Sequence, residues 1–147
     1  MNISPDFVIQ LGQFIAGLAI LIFIHELGHF VAARIVHVEV EEFGIGFPPR
    51  MARLFTAGGT LFSLNWLPLG GFVRLKGEND PSEPGGLAAA SPYARLFVLF
   101  AGPFMNIMLG IGLAIILFYN LGEPIFNQVQ VQGISENSPA EAAGLNI

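Results

Sequence analysis

The chain has no cysteine among its 147 residues, which excludes disulfide frameworks, thiolate metal sites and cysteine nucleophiles together. Charge is scarce as well. Asp, Glu, Lys and Arg make up 12% of the residues, about half of the roughly 25% typical of a soluble domain. Only six are basic, against eleven acidic, for a net charge of −5. No basic footprint for nucleic acid exists, and nucleic acid is not an expected partner. What is abundant is apolar: 53% of residues are hydrophobic and the mean hydropathy is +0.64. That is too apolar for a disordered chain, and too few charges remain to cover a soluble surface. Lipid is the implied surrounding, and any metal must be held by His and carboxylate.

Two uncharged runs carry the surplus. The first is Phe7–Ile24, with a helical pattern that continues to about Val36; the second is Leu96–Leu121, bounded by Arg95 and Glu123. Each meets the length of about 20 apolar residues needed to cross a bilayer core. A secretory signal would need a basic start and a small-x-small cleavage site, and the first run has neither. All six basic residues (Arg34, Arg50, Arg53, Arg74, Lys76, Arg95) lie between the two runs or at their inner edges. Loops rich in Lys and Arg stay on the cytoplasmic side. The expectation is a multi-pass protein of the cell inner (plasma) membrane, with both termini extracytoplasmic and the loop 38–94 cytoplasmic.

Inside the first run stands His25-Glu26-Leu27-Gly28-His29. At 100° per residue, His29 falls about 40° from His25 and one turn along, with Glu26 on the same third of the helix. Two imidazoles so placed can share one zinc ion while the carboxylate serves as general base to a zinc-activated water. Three ionisable groups at the depth of a span are each costly unless they face a bundle interior or a wet cavity, which favours the metal reading over chance. His37 lies roughly 18 Å beyond His25 on a continuing helix, too far to join the same ion. It is expected to be a histidine at the helix end.

Residues 38–76 read as β-structure. Val38 to Ile45 is β-prone and is expected to end at Gly44, Gly46 and Pro48-Pro49. Stretches 50–55 and 60–67 flank a turn at Ala57-Gly58-Gly59, with Phe62, Leu64 and Trp66 alternating with polar residues. This element is either membrane-associated and re-entrant or an ordinary cytoplasmic hairpin. If its 60–67 strand offers a free edge near the metal, it can hold an extended substrate by strand addition. Residues 77–94 are expected to be a flexible connector. The second span opens with Ala101-Gly102-Pro103, which bends the helix and admits a close neighbour. Its Asn106 contacts either substrate or a neighbouring helix. Beyond Glu123, Val129 and Val131 alternate with polar residues, and Ser138-Pro139 starts a short helix.

Taken together, several strings resemble the site-two protease family of intramembrane zinc metalloproteases, in its bacterial branch of the regulator of sigma-E protease type. They are His25–Phe30, Phe43-Gly44-Ile45-Gly46-Phe47, Pro68-Leu69-Gly70-Gly71-Phe72-Val73, Ala101-Gly102-Pro103 with Asn106, and Asn137–Leu145. The resemblance implies a mainly α-helical membrane protein with two transmembrane helices (1–37 and 95–122), an intervening membrane-associated β-hairpin loop (38–76) and the start of a PDZ-like domain (123–147). It implies Zn2+ held by His25 and His29, Glu26 as general base, and Asn106 in contact with substrate. Substrates would be single-span transmembrane proteins, such as anti-sigma factors or signal-peptide remnants. The family's third ligand is an Asp in a later span, whereas this chain has only Asp6 and Asp80, in no such motif. The remainder of a longer enzyme is therefore expected to supply it, and the 147-residue piece alone is expected to be inactive. A non-catalytic adaptor for transmembrane partners is the alternative. A thermolysin-like enzyme is disfavoured, because Glu39, Glu41 and Glu42 lie too close to His29 to act as its third ligand.

Overall fold

The computed structural model describes residues 4–122, 133–134 and 138–144. Its elements run α1 (Pro5–Ile35), β1 (Val40–Ala57), β2 (Thr60–Leu75), α2 (Pro92–Leu121) and α3 (Pro139–Ala142). The chain divides into two compact units, Met1–Ala114 and Ile115–Ile147. Most of the expected PDZ-like segment, including Val129 and Val131, lies outside the described residues. Within the second unit, Ser138 caps α3 by accepting from Glu141 N–H at 3.3 Å.

Both long helices start at a Ser-Pro pair. Ser4 accepts from Phe7 N–H and Ser91 from Ala94 N–H, while Pro5 and Pro92 occupy the first turn, where a missing N–H costs nothing. At about 1.5 Å per residue, both helices exceed the ~30 Å of a hydrocarbon core, and both are apolar enough to cross a membrane. Their outward surface is apolar over most of its area; Phe14 is 68% and Phe100 67% exposed. Such area in water would be an association surface. α1 ends where His37 adopts φ 60°, a left-handed conformation open to His more than to branched residues.

β1 and β2 form a two-stranded antiparallel sheet, turned at Gly58 and Gly59, both at positive φ. β1 does not end at Pro48-Pro49 but continues to Ala57. Its first part is paired on both flanks: Glu42–Ile45 match 71–74 on one side and, with numbers rising together, 61–64 on the other. Residues 61–64 are in turn paired with 52–56. The stretch considered for a free edge, 60–67, is therefore interior at 61–64. The sheet's two margins are 71–75 and 52–56, and of these it is 71–75 whose Val73 reaches Glu26 of α1.

Aromatic packing and one close glycine help dock this sheet on α1. Phe23 and Phe30 of α1 meet Phe43 edge-on at 5.7 and 5.3 Å, and Phe30 also meets Phe62. Gly70, at φ 102°, passes so close to Ile22 that a Cβ would lie 2.6 Å from its side chain. The core then closes around Ala32, Ala33, Val38, Val40, Leu75, Leu87 and Val98. Leu87 belongs to the 77–91 segment, which carries backbone hydrogen bonds from Leu87 to Lys76 and from Glu39 to Gly85. Beneath the sheet, buried Glu42 accepts from Arg50 at 2.6 and 3.0 Å and from Ser63 at 2.6 Å, and Arg74 stands 3.3 Å away. Burial pulls this carboxyl's pKa up, but the Ser63 hydroxyl and the two guanidinium groups outweigh it and hold the value below the ordinary one.

Candidate metal centre

His25 and His29 stand one turn apart on α1, their rings edge-to-face with centroids 4.8 Å apart. Both offer Nε2 toward Gly102 of α2. A Cβ on Gly102 would collide with His29 Nε2 and lie 2.7 Å from His25 Nε2, so the two nitrogens converge on space that only a glycine leaves open. Gly28, between the two histidines, meets the Ala101 carbonyl in the same way. Glycine on each helix thus brings α1 and α2 into close approach where the imidazoles lie.

The outer nitrogens are held by α2 in a matching order. His29 Nδ1 lies 2.7 Å from the Val98 carbonyl, which can only accept, so Nδ1 carries the proton and Nε2 presents a lone pair. That is the tautomer a metal requires. His25 Nδ1 lies 3.1 Å from the Asn106 side-chain amide. Val98, Gly102 and Asn106 recur every four residues, a single stripe on α2, set antiparallel against His29 and His25. Sequence reasoning did not single out Val98, although the four-residue step back from Asn106 through Gly102 points to it.

Glu26 faces the sheet rather than α2. Its Oε2 accepts from the Val73 N–H at 3.2 Å, a donor that points off the 71–75 margin. Glu26 and His29 both line a cavity of about 220 Å³, together with Val73, Leu75, Glu78 and Leu87 among others, roomy enough for several waters. Among the described residues no group of three or more His, Cys, Asp or Glu is placed to hold a metal ion. The donors present fit two of the three protein ligands of a catalytic zinc site. Asp6 and Asp80 are not brought to them, and His37 lies beyond the helix end.

An HExxH helix with its imidazoles turned inward and a carboxylate alongside is the arrangement of a metallopeptidase site. Comparison with known proteins gives the same class. Residues 13–141 match the model of Peptidase family M50, and the chain belongs to that family. It is 44% identical over 138 residues to a Campylobacter jejuni protein, covering 87% of this chain and 36% of that one. It is 38% identical over 127 residues to one from Clostridium perfringens, with shares of 85% and 36%, and 37% identical over 146 residues to one from Treponema pallidum, with shares of 87% and 32%. All three carry the name "Putative zinc metalloprotease". The chain spans about a third of the length of these curated relatives.

Proposed function

We propose that this chain carries the metal-binding helix, the substrate-side sheet and the second helix of an intramembrane zinc metalloendopeptidase. The observation that carries the reading is the convergence of the His25 and His29 Nε2 atoms on Gly102, within a helix otherwise apolar enough to cross a membrane. His25 and His29 would hold the ion, with a third ligand from outside the described residues. When bound, zinc supplies Lewis-acid chemistry that brings the pKa of a coordinated water toward neutrality. Glu26 takes the proton of the attacking water and passes it to the leaving amine. Val73 N–H orients that carboxylate, and an extended substrate laid along 71–75 has its scissile carbonyl beside it.

The basic residues between the helices support placing 38–94 on the cytoplasmic side of the plasma membrane, with α1 and α2 in the bilayer. Substrates on this reading are single-span membrane proteins whose helix must unwind to expose a peptide bond. Glu26→Gln in the full-length protein tests the mechanism. Zinc content should stay at the wild-type level while cleavage of a membrane substrate falls by about 10²–10⁴-fold, the usual contribution of a general base. Cleavage at the wild-type rate would refute it.

A further inference from the structure

Asn106 is buried at its amide oxygen, and that Oδ1 has no hydrogen-bond partner, while its Nδ2 faces His25 Nδ1 at 3.1 Å. A buried carbonyl oxygen without a donor is rare in folded proteins. The two ends of an amide are nearly isosteric, and their order is decided by the hydrogen-bond pattern. A half-turn of the amide gives Oδ1 a donor and carries Nδ2 to the position Oδ1 held. Oδ1 then accepts from His25 Nδ1–H, and His25 Nε2 keeps its lone pair for the ion. In the opposite order Nδ2 donates to Nδ1, the proton moves to Nε2, and that nitrogen is closed to a metal. The neighbouring histidine argues for the first order, since His29 Nδ1 already gives its proton to an oxygen acceptor on α2, the Val98 carbonyl.

We infer that Asn106 is a positioning residue for the ion, its amide oxygen fixing the tautomer and ring plane of His25 as the Val98 carbonyl does for His29. The inference rests on the zinc reading above and deepens it. α2 then supplies a matched pair of oxygen acceptors eight residues apart, one per imidazole, with Gly102 between them leaving room for the ion.

The test is zinc affinity of the full-length protein in detergent, measured by competition with a chromophoric chelator. Asn106→Leu should bind zinc about 10–100-fold more weakly, the usual cost of losing an oxygen that orients a ligating histidine. Asn106→Asp keeps an oxygen acceptor in nearly the same volume and should bind at least as tightly as wild type. Zinc affinity of Asn106→Leu within twofold of wild type would overturn the inference, leaving substrate contact alone. So would a tenfold loss in Asn106→Asp, which shows that the amide donates. Should Asn106→Leu fail to fold, Asn106→Asp alone decides. Wild-type protein that takes up no zinc, with His25→Ala indistinguishable from it, would remove the zinc reading itself.

Discussion

At the scale of single residues, Gly102 is the position where a small change has a large consequence. One methyl group there meets both imidazole nitrogens, and neither backbone can yield without separating α1 from α2. Gly102→Ala should therefore lower zinc affinity by at least tenfold while leaving helix content, followed by circular dichroism, unchanged. Unaltered affinity would mean that the nitrogens do not share that space. Glu42 makes a different prediction. Its folded-state pKa lies below the ordinary value, so the folded form binds the proton less readily than the unfolded one. Its stabilising contribution is complete above the ordinary carboxylate pKa and is lost as pH falls through the lowered value. Thermal melts should show the sheet weakening below about pH 4.5 in wild type. Glu42→Gln should already be destabilised by about 1–3 kcal/mol at neutral pH, with a flatter acid limb.

At the scale of elements, the sheet meets the site through Val73, whose N–H is the donor to Glu26. Val73→Pro removes that donor at the margin of the sheet, where proline is tolerated. Cleavage should fall about tenfold or more with zinc content unchanged. Proline at Ser63 or Leu64, which are paired on both flanks, should instead unfold the hairpin and be visible as loss of protein.

The helices and the turn at Gly58-Gly59 were legible in the sequence because run length, charge and glycine act locally. Ser4-Pro5 and Ser91-Pro92 mark both helix starts, a few residues ahead of the apolar runs. By contrast, the order of strand segments was not legible. Phe62, Leu64 and Trp66 alternate as an edge strand's residues would, and nothing local reveals that 42–45 and 52–56 flank 61–64. The histidine pair was plain from i, i+4 spacing, whereas its partners on α2 depend on how two helices meet.

At the scale of the whole molecule, the described residues supply two imidazoles and no third ligand, in a chain about a third as long as its relatives. The 147 residues alone, in detergent, should hold zinc far more weakly than the longer relatives do and cleave no membrane substrate. Equal affinity for the two would place the whole donor set here.

The polar groups of α1 are tethered to two neighbours: His25 and His29 to α2, Glu26 to the main chain of β2. On the zinc reading, hydrolysis would need an alignment among three elements and would not be a property of one. A thinner or thicker bilayer re-tilts long helices at modest cost, and a small change in their crossing would part the imidazole from its carbonyl. On the zinc reading, lipid thickness then bears on turnover with no ligand at all.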